Sequence, residues 1–143
     1  MCIDIVGCSE IPGIITVPGN LTLHGYLEKV DYEKVLAGAT AAIGTLSLYK
    51  KGMQEAAPLK IRGCAAYGIP LILPYVDTDL HDLACEAILE IPNTEDNVNQ
   101  SATSIHDFLY CMRGKRLERE TIHDLIDMDV KEAARLNFFR KFI

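Results

Sequence analysis

The sequence predicts an α/β fold in which a parallel sheet is covered by helices on both faces. Short apolar segments alternate with helical segments along the chain, and most of the apolar segments end at a glycine or a proline. Parallel strands are buried on both sides, so they appear as continuous apolar runs rather than alternating ones. The composition agrees, because 49% of the 143 residues are apolar and 24% are charged, as is typical of a globular protein.

Two strands and a helix are predicted in the first 40 residues. Residues 2 to 6 form an apolar run with β-branched side chains that ends at Gly7, and residues 21 to 24 form a second run that ends at Gly25. Asp31 is expected to cap a helix that Gly38 ends. The order is therefore strand, loop, strand, helix.

Three further strands and a helical tail follow. The predicted strands cover residues 41 to 46, 69 to 73 and 87 to 91, and a helix starting at Pro58 is expected to reach Tyr67 and stop at Gly68. Apolar residues at helical spacing predict two later helices, one through Ile105 and Phe108 and one through Val130 and Phe138. This alternation is typical of a Rossmann-like sheet. With no internal linker, residues 1 to 143 are expected to form a single domain.

The charge and the cysteines limit the classes of function. With 14 basic and 20 acidic residues, the chain carries a net charge of −6, which disfavours nucleic acid as a partner. Five widely spaced cysteines without a paired motif indicate reduced thiols. No apolar run has the length of a membrane span, and the start of the chain lacks the layout of a signal peptide. We therefore expect a cytoplasmic protein.

The approach to the Pro58 helix is the best candidate for an anion site. Free backbone N–H groups and the positive end of the helix dipole point to where a helix begins at the carboxyl edge of a parallel sheet. Four basic residues lie in this stretch of an otherwise acidic chain, namely Lys50, Lys51, Lys60 and Arg62. The pattern favours a diphosphate ligand.

Glu55 differs from its neighbours in this stretch, because a carboxylate repels phosphate. Such a group can instead accept hydrogen bonds from sugar hydroxyls. Two structural interpretations remain open for Glu55, a cap on the following helix and a surface ion pair with Lys51.

Three segments carry a resemblance to a known family. They are residues 41 to 46 (AAIGTL), residues 58 to 62 (PLKIR) and residues 67 to 72 (YGIPLI), preceded by His24-Gly25-Tyr26-Leu27. Together they resemble the donor-binding core of group 1 (family 4) glycosyltransferases, and the resemblance covers roughly residues 2 to 95. It implies the C-terminal half of the two-domain fold called GT-B.

The resemblance implies roles for two positions eight residues apart. In that family a first glutamate contacts the donor sugar and a second one holds the nucleotide ribose. Glu55 matches the first position, whereas Gly63 occupies the second. This departure leaves three explanations open: weakened ribose binding, a degenerate copy, or an engineered change.

The remaining site residues are also implied by the resemblance. Backbone N–H groups around Leu59 and Lys60 are expected to meet the diphosphate, with Pro58 beside them as part of the donor site. Thr45 and the loop formed by Gly25, Tyr26 and Leu27 are expected to line the pocket. No metal ion and no cofactor besides the nucleotide-diphosphate-sugar substrate are implied.

The family pattern further implies a missing partner. The first strand-helix unit of the donor domain and the N-terminal acceptor-binding domain have no counterpart in residues 1 to 143, so the chain alone is expected to be inactive. With its partner domain or chain it would transfer a sugar, with retention of configuration, to a glycan or lipid-linked acceptor, as in polysaccharide biosynthesis. Apolar surface left uncovered by the missing parts favours self-association.

Two rival functions remain. The first is a non-catalytic binding or regulatory module, a degenerate glycosyltransferase that works through partner contacts. The second is a flavodoxin-like domain, although no phosphate loop follows the first strand.

Three other signals are weaker. His81 and Cys85 have the spacing of a metal-binding pair but lack a second pair. Asp77 and Asp79 would suit a phosphoacceptor site. Such a site also needs an acidic pair after the first strand, and this chain has none there. The basic run from Arg113 to Arg119 would allow peripheral contact with an anionic membrane, although the pattern favours a solvated helix start.

Overall fold

The computed structural model describes residues 1 to 142, and it shows a mixed α/β protein with parallel sheets. The chain divides into two compact units, one from Met1 to Ala39 and a second that begins at Thr40. Within the described residues, no helix is both long and apolar enough to cross a membrane.

The first unit contains a two-stranded parallel sheet and one helix. Strand β1 (Ile3–Ile5) pairs with strand β2 (Leu21–Leu23), and helix α1 (Lys29–Gly38) follows. Both strands lie where the sequence predicts them, because a β-branched apolar run that ends at a glycine favours a short strand.

The expected cap of α1 is wrong. The helix begins at Lys29 after the N-cap residue Glu28, whose carbonyl accepts the N–H of Tyr32 at 2.9 Å. Asp31 lies inside the first turn and forms an ion pair with Lys34 at 2.8 Å. The helical hydrogen bonds therefore start almost one turn before the residue that the sequence favours as a cap.

The second unit holds the remaining elements. Its strands are β3 (Ala42–Ile43), β4 (Glu55–Ala56), β5 (Leu71–Leu73), β6 (Val76–Asp77) and β7 (Ile88–Glu90). Its helices are α2 (Leu59–Ala66), α3 (Asn97–Gln100), α4 (Ala102–Cys111), α5 (Arg119–Ile126) and α6 (Met128–Phe139). Short 3₁₀ turns cover Leu48–Lys51 and Arg140–Phe142.

The strands of the second unit form two parallel sheets. One has the order β3-β5-β7, and the other pairs β4 with β6. In β3, only Ala42 and Ile43 pair with β5, so this strand is shorter than the apolar run suggests. The sequence predicts neither β4 nor β6, because two-residue strands carry no detectable periodicity.

The core of the second unit forms around the central strand β5. All three of its residues are fully buried, and Ile61 and Ala65 of α2 together with Ile122 of α5 are buried as well. Helix α2 follows the predicted helix within one residue at each end, with Pro58 as its N-cap. A parallel strand buried on both faces needs apolar side chains throughout, which explains why its sequence is so readily recognised.

A close backbone approach fixes the end of α2. Gly68 has a φ of +72°, and its carbonyl accepts the N–H of Leu117 at 2.8 Å. A β-carbon at Gly68 would lie 3.1 Å from the carbonyl oxygen of Leu117. Glycine is therefore required both for the conformation and for the space, and it sets the position of the chain that leads into α5.

Candidate functional site at the carboxyl edge of the sheet

The carboxyl ends of β3, β5 and β7 lie at one edge of the sheet, because all three strands are parallel. At this edge Gly44, which follows β3, packs directly against Tyr75, which follows β5. A β-carbon on Gly44 would lie 2.9 Å from Cε1 of the Tyr75 ring. Thr45, one of the expected pocket residues, comes next in the chain and is half-buried.

The side chain of Tyr75 is a buried polar group that the sequence does not reveal. Only 3% of the residue is exposed, and its hydroxyl has no hydrogen-bond partner within residues 1 to 142. Burial raises the pKa of Tyr75 to about 12, and the negative charge of Asp77 adds to this effect while Arg62 opposes it. Tyr75 therefore remains neutral at physiological pH.

Two asparagines after β7 hold the loop that joins β3 to β4. Asn97, 3% exposed, donates from Nδ2 to the carbonyl of Leu46 at 2.9 Å. Asn93 accepts the backbone N–H of Tyr49 at 3.0 Å and also bonds the far end of the loop. Sequence analysis does not identify either residue. The available signal is that both asparagines follow a predicted apolar strand, at the end where loops of the carboxyl edge converge.

Glu55 lies in β4 with its side chain on the exposed face of the strand. The register pairs Glu55 with Val76 and Ala56 with the fully buried Asp77. Because side chains alternate along a strand, Glu55 points away from the side that buries Asp77. It forms no ion pair with Lys51 and does not cap α2, as far as the described residues go. Neither structural interpretation of Glu55 is seen.

The start of α2 follows β4 after two residues. Pro58 is its N-cap. Within residues 1 to 142, no side chain caps the helix, and the first backbone N–H groups, those of Leu59 and Lys60, lack the partners that helix starts need. Leu59 is 81% exposed, and Lys60 is exposed as well. This end of the helix carries the positive pole of the helix dipole and faces solvent.

Arg62 is not available for a diphosphate, which corrects the expectation that four basic residues serve the anion site. Its guanidinium donates to both carboxylate oxygens of Asp77, each at 2.7 Å, and to Asp79 at 2.7 Å. Burial by itself lowers the pKa of Arg62, but hydrogen bonds and the charges of first Asp77 and then Asp79 outweigh it and raise the pKa. The guanidinium is thus committed to an internal ion pair.

The same ion pair extends to the last long helix. Lys131 of α6 also binds Asp79, so that this carboxylate lies between two cations. Burial acts to raise the pKa of Asp79, but the hydrogen bonds from Lys131 and Arg62 prevail and lower it. Asp77 and Asp79 therefore have a structural role in this network. Through Lys131, the network also connects α6 to α2 and β6.

Gly63 occupies the position where the related family has its second carboxylate. It lies inside α2, one residue after Arg62, and a β-carbon there would meet no atom within 4 Å. The backbone of Gly63 does not have a positive φ. No steric or conformational requirement for glycine therefore exists at this position.

The expected pocket loop of the first unit is ordered by backbone bonds and by one side-chain pair. Gly25 adopts a φ of +63°, and its N–H donates to the carbonyl of Cys8 at 3.0 Å. His24 bonds Asp4 through Nε2 at 2.7 Å. Tyr26 is 95% exposed, whereas Leu27 is half-buried. The loop thus presents an aromatic side chain to solvent at the carboxyl end of β2.

A pocket of about 240 Å³ lies elsewhere in the second unit, between α2, α5 and the start of α6. Its lining residues are Arg62, Ala66, Arg119, His123, Ile126, Asp127 and Met128. Among the residues expected to serve the anion site, only Arg62 contributes to this pocket. The pocket adjoins the Arg62 ion pair and is separate in sequence from the loops of the carboxyl edge.

Within the described chain, no three histidine, cysteine or acidic side chains are grouped closely enough to hold a metal ion. Nδ1 of His81 lies 3.2 Å from the backbone carbonyl of Asp77.

Comparisons of the chain with protein-family models, curated protein sequences and solved structures find no match.

Proposed function

We propose that the chain is the donor-binding domain of a retaining glycosyltransferase, a Rossmann-like half of a GT-B fold that binds a nucleotide-diphosphate sugar. The observation that carries this proposal is the position of Glu55, four residues before the start of α2. Its carboxylate is exposed and has no ion pair among the described residues, where no side chain caps α2 either. A carboxylate next to an anion-binding helix end suits a ligand that carries both hydroxyl groups and phosphates.

Each part of the ligand has a chemical counterpart in the second unit. The free N–H groups at the start of α2 suit the diphosphate, and the exposed cation of Lys60 adds to the attraction. Glu55 suits the sugar hydroxyls. Thr45 lies at the edge where ligands of parallel α/β sheets bind.

Transfer also requires an acceptor-binding domain. The donor domain would then act by holding the sugar and by stabilising negative charge on the departing diphosphate. We expect the chain alone to bind the donor without transferring the sugar.

Calorimetric titration with UDP, GDP and ADP and with their sugar conjugates tests the proposal. At least one nucleotide sugar should bind, and Glu55→Gln should weaken it while leaving the bare nucleoside diphosphate unaffected. Loss of a charged hydrogen bond costs about 1.5–3 kcal/mol, which corresponds to roughly a 10- to 150-fold weaker affinity. Glu120→Gln, at an exposed position on α5, is the matched control. Equal affinities of wild type and Glu55→Gln would overturn the assignment of Glu55.

A non-catalytic binding module is the second candidate, and Gly63 favours it because the ribose-binding carboxylate of the related family is missing. The open space at Gly63 permits a direct test with Gly63→Glu. Tighter nucleotide binding by Gly63→Glu would support a donor site that has lost one contact. A total lack of nucleotide binding by wild type, Glu55→Gln and Gly63→Glu would support the module.

A further inference from the structure

Asn93 makes three hydrogen bonds to a distant part of the chain. Its Oδ1 accepts the backbone N–H of Tyr49 at 3.0 Å, and its Nδ2 donates to the carbonyl of Met53 at 2.8 Å and to Oε1 of Gln54 at 3.1 Å. These partners lie 39 to 44 residues earlier in the sequence. One amide thus serves as both acceptor and double donor, a combination that aspartate cannot supply.

The bonds of Asn93 fix the two residues that precede Glu55. Met53 is held through its carbonyl, and Gln54 is held through its side chain. The carbonyl of Gln54 also accepts the N–H of Val76 at 3.1 Å, which aligns β4 with β6. The chain therefore enters β4 in a defined direction.

Strand β4 depends on such support because it has only two residues. A longer strand orients its side chains through many ladder bonds, whereas this one is paired over Glu55 and Ala56 alone. The loop before it turns at Gly52, which has a φ of +65°, and its first part is held by Asn97. Asn93 holds its last part.

We infer that Asn93 is a positioning residue for the donor sugar, which sets the direction of the Glu55 carboxylate by fixing Met53 and Gln54. The inference rests on the proposed function and adds to it a residue that acts through Glu55 and does not itself touch the ligand.

A double-mutant cycle on the two residues tests this role. The titrated ligands are the nucleotide sugar that binds wild type and the corresponding nucleoside diphosphate. Asn93→Ala should lower the affinity for the nucleotide sugar roughly tenfold, as expected when the ordering supplied by about one hydrogen bond is lost. It should change the affinity for the nucleoside diphosphate by less than about twofold. In the Glu55→Gln background, Asn93→Ala should have almost no further effect, because coupled residues are not additive.

Two further variants keep the test decisive. Gln54→Ala replaces Asn93→Ala if that variant does not fold. It removes one partner of Asn93, so it should cause a smaller loss of affinity that is again specific to the nucleotide sugar. Asn99→Ala is the matched control, because Asn99 is exposed and its side chain bonds only Asp96 in the described chain. It should leave both affinities unchanged.

The outcomes separate the inference from the proposed function. If Asn93→Ala weakens both ligands equally, or if its effect persists undiminished with Glu55→Gln, then Asn93 only stabilises the loop and the inference is wrong while the donor site remains. If Glu55→Gln has no effect on the nucleotide sugar, or if wild type binds no nucleotide, then both the assignment of the site and the role of Asn93 are overturned.

Discussion

Arg62 of α2 holds the fully buried Asp77 of β6 through two parallel hydrogen bonds of 2.7 Å. A planar guanidinium matches a carboxylate in this two-pronged geometry, and the pair compensates two charges that would each be costly to bury alone. The pair lies directly behind the exposed face that carries Glu55, because Asp77 is the register partner of Ala56.

Removing one member of this pair should strongly destabilise the protein. We expect Asp77→Ala to lower the free energy of unfolding by about 3–5 kcal/mol, since Arg62 would keep a charge with only Asp79 to compensate it. Urea denaturation followed by circular dichroism measures the loss. The double variant Arg62→Met with Asp77→Leu should lose clearly less, because it buries no uncompensated charge. Equal losses in the two variants would contradict this explanation.

The lowered pKa of Asp79 predicts that the free energy of unfolding decreases at acidic pH. A carboxylate whose pKa is lower in the folded state stabilises the fold fully above its unfolded pKa, which is about 4, and this contribution is lost as the pH falls through the folded pKa. Wild type should therefore lose stability below about pH 4 more steeply than Asp79→Asn. Thermal unfolding recorded from pH 7 to pH 2 tests the difference, and parallel curves would exclude a role for Asp79.

Tyr75 predicts the opposite dependence at alkaline pH. Its pKa is raised to about 12 in the folded protein, from about 10 in unfolded chains. Because the charged form is disfavoured in the fold, stability is complete below about pH 10 and declines as the pH rises toward 12. Tyr75→Phe should remove this tyrosine's contribution to the alkaline loss and should not lower stability at pH 7, because the hydroxyl has no partner among the described residues. A clear loss of stability at pH 7 would show that the hydroxyl is bonded.

Two glycines should respond oppositely to alanine. Gly44→Ala places a β-carbon 2.9 Å from the Tyr75 ring and 3.1 Å from Pro74, and overpacking of this kind costs about 1–3 kcal/mol. Gly63→Ala meets no atom within 4 Å and should stabilise α2 by up to about 1 kcal/mol. Differential scanning calorimetry of the two variants measures both signs. A stabilised Gly44→Ala would contradict the close approach at the carboxyl edge.

The predicted elements agree best with the structure where local chemistry decides. Strand β5 and helix α2 lie where the sequence places them, because a buried apolar run and a proline-led helix that ends before a glycine are local signals. Agreement is poorer for α1, whose cap was predicted at Asp31. Several residues near that position could each begin a helix, and the hydrogen bonds of the folded chain select Glu28.

In the candidate site too, some features are predictable from the sequence and others depend on the tertiary structure. Glu55 is recognisable from the sequence, because it is a carboxylate in a basic stretch, but its exposure follows from the pairing of β4 with β6. The role of Arg62 could not be predicted. A basic residue in an expected anion site looks free until a partner 15 residues later is brought beside it.

By itself, the sequence determined that the chain is a mixed α/β protein with short strands and helices, because apolar runs and the conformational limits of glycine and proline act over a few residues. Only the tertiary structure decided which charges are free and which are paired. Ion pairs and side-chain bonds such as those of Arg62 and Asn93 join residues that are distant in the chain, and their formation depends on how the elements pack. For this reason Glu55 and Lys60 are exposed and have no ion pair among the described residues, whereas Arg62 is paired with Asp77 and Asp79.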